Sequence, residues 1–125
     1  MTFVQATKSY FLRWKDFQGR SSRSEYWWAV LSVTIISALL GFIVGFFGAL
    51  AGLSMTTIQL LLVPIQIFLT IASFALVIRR LHDTDRSGWW YFIFLTIIGI
   101  LVLIIWYCQK GTDGENRFGK DPLLD

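Results

Sequence analysis

Polar and apolar positions along this chain are sorted into blocks. No Asp, Glu, Lys, Arg or His occurs from Trp27 to Ile78, nor from Trp89 to Gln109. Uncharged apolar runs of about 18 residues or more are long enough to cross the hydrocarbon layer of a bilayer. The first block, at 52 residues, is too long for one span of ~20. Its most polar window, Gly52-Leu53-Ser54-Met55-Thr56-Thr57, marks a turn. The pattern predicts transmembrane helices over 27–53, 57–78 and 89–108. At ~1.5 Å per residue the first exceeds what a ~30 Å core requires, so it tilts or emerges.

Ahead of the first block the period changes. Phe3, Val4, Thr7, Tyr10, Phe11, Trp14 and Phe17 fall on one helical arc, with Lys8, Gln5, Ser9, Arg13, Lys15 and Asp16 outside it and Leu12 off-face. This reads as a helix over 2–17 lying in the membrane interface. Residues 110–125 are turn-rich and polar, a short solvated tail. The expected fold class is an all-α integral membrane protein, with an N-terminal interfacial amphipathic helix plus three transmembrane helices in a single domain over 1–125.

Composition agrees. The chain is 55% hydrophobic and only 15% charged, against roughly 25% charged for an ordinary soluble domain. The first apolar run starts too late and runs too long for a cleavable signal. Cys108 is the sole cysteine, which excludes an internal disulfide. Trp14, Trp27, Trp28, Trp89, Trp90 and Trp106 stand outside the spans or at their ends, where an apolar ring with a polar edge suits the headgroup layer.

The net charge of +3 says less than its placement. With three spans, a cytoplasmic N-terminus puts eight Lys/Arg inside and three outside, so the positive-inside rule favours N-in and C-out. The rival is a re-entrant third segment hinged near Gly99. It puts every basic residue inside, but each leg is too short to cross and the turn needs protein cover.

Gly41, Gly45, Gly48 and Gly52 recur at spacings of 4, 3 and 4, which places them on one helix face as a close-packing surface. Gln59, Gln66, Thr70 and Ser73 share a face of the second span, read as interhelical hydrogen bonding rather than a transport path, since no ionisable residue lies inside the span. Pro64 removes one backbone bond and favours a kink.

Two polar islands lead into spans: "GRSSRSEYWW" (19–28) and "RRLHDTDRSGWW" (79–90). Arg79 and Asp83 are spaced to pair as i, i+4 if the helix continues. Asp85 or Ser87 can cap the third span. His82, the chain's one histidine, lacks the companions of a metal site or a nucleophile motif, so no catalytic, metal or cofactor site is expected. Arginine's planar fork suits phosphate. The expectation is a cytoplasmic-face rim of Arg20, Arg23, Arg79, Arg80, His82 and Arg86 engaging anionic lipid headgroups, with Asp83 and Asn116 as further polar motif residues. The rival functions are an accessory subunit docking another membrane protein, an enzyme using His82 and Asp83 on a lipid-linked substrate, and a small transporter. The expected partners are membrane lipids and either a second copy or another membrane protein, with no nucleic acid.

The islands "FQGRSSRSEYWW" (17–28), "RRLHDTDRSGWW" (79–90) and "GENRFGKDP" (114–122) resemble the bacterial inner-membrane proteins called domain of unknown function 805. The matching residues are Gly19, Arg20, Arg23, Tyr26, Trp27, Arg80, Leu81, His82, Asp83, Ser87, Gly88, Trp89, Asn116, Gly119 and Pro122. Asp85 stands where members commonly have glycine, Phe118 where they have tyrosine, and Lys120 where they have proline. The resemblance implies a small helical protein of the inner membrane with a few spans, and carries no catalytic roles.

Overall fold

The computed structural model describes residues 1–124. It is helical throughout: α1 (Phe3–Leu12), α2 (Arg23–Leu50), α3 (Met55–Asp83), a 3-10 helix (Gly88–Leu95) and α4 (Ile97–Cys108). Of these, α2 and α3 are long and apolar enough to cross a membrane. Most of their outward residues are apolar, Phe42, Phe47, Leu60 and Leu61 among them, as side chains facing lipid tails can be; Thr34, Ser37, Gln59, Gln66 and Thr70 are exposed polar exceptions.

Caps set the boundaries. The Ser22 hydroxyl accepts from Glu25 N, which starts α2 four residues before the expected position. At its far end Ala51 closes the helix and Gly52 turns at φ 77°. Leu53 N donates to Gly48 O and Gly52 N to Ala49 O, the paired bonds of a Schellman end. Ser54 then caps α3 through Thr57 N. This tight turn makes α2 and α3 an antiparallel hairpin, and α3 runs unbroken through Pro64 to Asp83.

Within the chain the four glycines do not share one packing partner. Gly52 makes the turn and Gly48 lies against Ile58, whereas a Cβ on Gly41 or Gly45 would meet no atom within 4 Å. Nor is the helix expected over 2–17 an isolated surface element. The shorter α1, opened by a Thr2/Gln5 capping box, packs on both long helices. Tyr10 is buried and its hydroxyl bonds Leu69 O and Ser73 of α3 at 2.8 Å each. Phe3 meets Trp28, and Phe11 and Trp14 meet Phe68.

The segment expected as one transmembrane helix over 89–108 is two short helices with an extended residue between them. Thr96 has ψ 148° and caps α4, accepting from Gly99 N. At ~1.5 Å per residue the 12 residues of α4 reach ~18 Å, well short of a ~30 Å core. The segment also returns to where it began. Gly88 lies against Ile78, Trp90 and Trp106 meet edge to face at 5.7 Å, and Gln109 O accepts from Arg80. Gly99 permits the fold-back, because a Cβ there would overlap the Ile93 carbonyl. The tail therefore lies at the same end of the α2–α3 hairpin as the N-terminal segment, not at the opposite end as three crossings required.

Candidate functional site

The polar islands meet at that end in one buried knot. Arg20, Arg79 and Arg80 are 4%, 0% and 0% exposed. Three guanidiniums cannot be buried without hydrogen-bond partners, and here backbone carbonyls supply most of them. Arg79 stitches α3 to the N-terminal segment: Nη1 donates to Arg13 O (2.8 Å) and Asp16 O (3.0 Å), and Nε to the Ser21 hydroxyl (2.9 Å). Arg80 stitches α3 to the end of α4, donating to Tyr107 O (3.1 Å), Gln109 O and Ser21 O (3.3 Å). Arg20 holds the tail, donating to Thr112 O (2.7 Å), Gly114 O (2.7 Å) and Gly119 O (3.1 Å).

Two buried carboxylates offset part of this charge. Asp83 accepts from Arg80 Nη1 and lies 2.9 Å from Arg20 Nη2. The expected Arg79–Asp83 pair is therefore replaced by i, i+3 and long-range pairs, since Arg79 is turned toward the N-terminal segment. Glu25 takes that side, accepting from Ser9 at 2.6 Å and Arg13 at 3.4 Å, with Arg79 Nη2 4.0 Å away. Arg79 Nη2 has no hydrogen-bond partner among the described residues.

The remaining motif residues lock the tail. Thr112 N donates to Asp83 O at 2.7 Å. A Cβ on Gly111 would overlap the Asp83 carboxylate, so only glycine permits this approach. Asn116 donates to His82 O (2.9 Å), accepts from Phe118 N, and exchanges backbone bonds with Gly119. The Asp121 carboxyl is held below its usual range by the N–H groups of Leu123 and Gly114. For Asp16, partial burial pulls upward, but the Gly19 N–H, Arg13 and the Gln18 N–H outweigh it and lower the carboxyl.

His82 is 6% exposed and its ring stacks on Phe118 at 3.9 Å. Its Nδ1 faces Gly19 O at 3.0 Å. A carbonyl only accepts, so Nδ1 carries the proton, and Nε2 of the neutral ring bears a lone pair. Asp85, where the resembled family commonly has glycine, adopts a left-handed conformation at φ 58° and pairs with Arg117 at 3.2 Å. Ser87 caps the 3-10 helix through Trp89 N.

Of the residues expected in a rim, Arg20, Arg79, Arg80 and His82 are thus turned inward, while Arg23 is exposed and Arg86 half-buried. Arg23 donates to Cys108 O, and Arg86 lies 4.2 Å over the Trp106 ring. Trp27, Trp28, Trp89 and Trp90 are exposed; Trp14 and Trp106 are half-buried. Sequence reasoning passed over Glu25, Ser21 and Gly111. Glu25 had a signal, as the one carboxylate between Asp16 and Asp83.

Inner membrane protein YhaI of Escherichia coli (strain K12) is 43% identical over 107 residues, covering 85% of each chain. Inner membrane protein YhaH of the same strain is 40% identical over 125 residues, covering 98% of this chain and 97% of its own length. No solved structure matches. The family described as "Protein of unknown function (DUF805)" matches residues 14–120, a range that holds the arginine knot, His82 and the tail lock, and the chain belongs to that family of inner-membrane proteins.

Proposed function

We propose that this protein is a non-catalytic inner-membrane protein that crosses the bilayer twice, keeps both termini in the cytoplasm, and engages anionic lipid headgroups at its cytoplasmic face. The observation that carries this reading is the division of labour among its basic residues. Arg20, Arg79 and Arg80 are consumed internally. Lys8, Lys15, Arg23, Arg86 and Lys120 have no carboxylate within 4.0 Å among the described residues. All eleven Lys and Arg lie on the segments gathered at the knot end, and the 51–54 turn has none, which is the asymmetry of a cytoplasmic face.

Juxtamembrane basic residues gain about 1 kcal/mol each near an anionic leaflet. Arg23 precedes Trp27 and Trp28, and Arg86 precedes Trp89 and Trp90, so each cation comes with an anchor at headgroup depth. The test is lipid mass spectrometry of protein recovered from nanodiscs of equal phosphatidylglycerol and phosphatidylcholine. The expected result is enrichment of phosphatidylglycerol that weakens with salt and falls in the Arg23→Gln/Arg86→Gln protein. Equal recovery of both lipids by the wild type refutes the reading.

A further inference from the structure

A cleft of about 370 Å3 opens between the end of α3 and the 3-10 helix, walled by Phe17, Phe74, Ile78, His82, Trp89 and Phe92. That is the scale of a site for a small group rather than a whole lipid. Three features define its chemistry. Most of the wall is aromatic, and ring faces attract cations. Trp89 is 78% exposed, and an exposed tryptophan at a helix entry suits the headgroup layer. Two polar groups line the wall: Ser87, whose hydroxyl accepts from Trp89 N, and His82, more than nine-tenths buried, with Nδ1 held by Gly19 O and no hydrogen bond between Nε2 and the described residues. Nε2 itself is not fully buried, so it is reachable from outside and can accept from an N–H of a bound molecule.

We infer that this cleft is a site for one phospholipid whose headgroup carries a primary ammonium, as in phosphatidylethanolamine. The ammonium donates to His82 Nε2 between the rings of Phe17 and Trp89, and the start of one acyl chain lies along Phe74, Ile78 and Phe92. A choline headgroup has the same charge and no N–H to donate, so it leaves Nε2 unpaired. The inference shares only membrane insertion with the proposed function. Anionic enrichment depends on net charge, whereas ethanolamine and choline lipids are both zwitterionic.

The experiment places the full-length protein in nanodiscs of equal phosphatidylethanolamine and phosphatidylcholine with matched acyl chains. After gentle extraction, lipid retained per protein is counted by native mass spectrometry. The wild type should retain about one ethanolamine lipid, at least threefold over choline, a difference on the order of 0.7 kcal/mol. The preference should persist at high salt. His82→Phe should bring the ratio to about one. Trp89→Leu, at a side chain outside the knot, should lower ethanolamine retention about threefold while the protein stays folded. Equal retention of the two lipids by the wild type, or an unchanged preference in His82→Phe or Trp89→Leu, overturns the inference.

Discussion

Arg20 and Asp83, 63 residues apart in sequence, lie 2.9 Å apart in space with side chains 1% and 4% exposed. The pair joins two motif islands, and through the carbonyls that Arg20 also holds it brings in the third. It is the central fastener of the molecule.

Breaking that pair should therefore cost more than any change at an outward arginine. Asp83→Asn leaves the buried Arg20 and Arg80 without their shared counterion, and Arg20→Gln leaves Asp83 with Arg80 alone and three tail carbonyls without their donor, losses of about 3–5 kcal/mol. Arg23→Gln should stay within about 0.5 kcal/mol, as exposed substitutions usually do. Thermal unfolding in mild detergent separates them. Comparable melting temperatures for Arg20→Gln and Arg23→Gln contradict the knot.

The tail lock can be probed apart from the arginines. Asn116→Ala removes the donor to His82 O and the acceptor for Phe118 N, a cost of roughly 1–3 kcal/mol for partners left unsatisfied. Limited proteolysis should then cut the chain after Gln109 much faster than in the wild type. An unchanged cleavage rate shows that the tail is held without Asn116.

Both termini are expected in the cytoplasm. Two C-terminal fusions report on this: one enzyme active only in the cytoplasm, one only outside. The cytoplasmic fusion should be active and the external one silent. The reverse outcome restores a third crossing.

Glycine substitutions should rank by what surrounds them. Gly99→Leu forces a side chain into the Ile93 carbonyl and should prevent the fold-back. At Gly45 an added Cβ faces open space, with no neighbouring atom within 4 Å, so Gly45→Leu should leave the monomer's stability nearly unchanged. Expression and gel-filtration profiles of the two variants decide the ranking, and a Gly45→Leu protein as damaged as Gly99→Leu refutes it.

Asp85 offers a stabilising change. A left-handed backbone costs roughly 1–2 kcal/mol for residues with a Cβ, less for Asp, and nothing for glycine. Asp85→Gly keeps the backbone carbonyl that Arg117 contacts and gives up an exposed ion pair worth ~0–1 kcal/mol. Asp85→Gly should match or exceed the wild type in melting temperature, and Asp85→Val should fall below it. A Val variant as stable as the Gly variant removes the backbone argument.

Much of this architecture was legible in the residues. The uncharged block from Trp27 to Ile78 with one polar window could only be a hairpin, and Ser22, Ser54 and Gly52 stand where caps and turns belong. The third segment was not legible, because about 20 uncharged residues have the same composition whether they cross or fold back. What decides it is local: Thr96 capping onto Gly99, and a glycine where Ile93 comes close. The burial of Arg79 and Arg80 was hidden for a different reason. Positive residues at the end of a span ordinarily face water; here carbonyls distant in sequence, those of Arg13, Asp16, Ser21, Tyr107 and Gln109, together with the Ser21 hydroxyl and Asp83, satisfy them inside.

The knot also imposes an order on synthesis. Arg20 leaves the ribosome long before its acceptors at Thr112, Gly114 and Gly119 exist, whereas every acceptor of Arg79 is made before Arg79 itself. A chain that ends before Lys110 therefore lacks the three carbonyls that Arg20 holds and leaves this buried guanidinium with Asp83 alone. The last segment to be made supplies these acceptors and completes the burial of Arg20. The tail is thus part of the interior rather than an appendage, and removing it exposes a charge that the rest of the chain cannot satisfy.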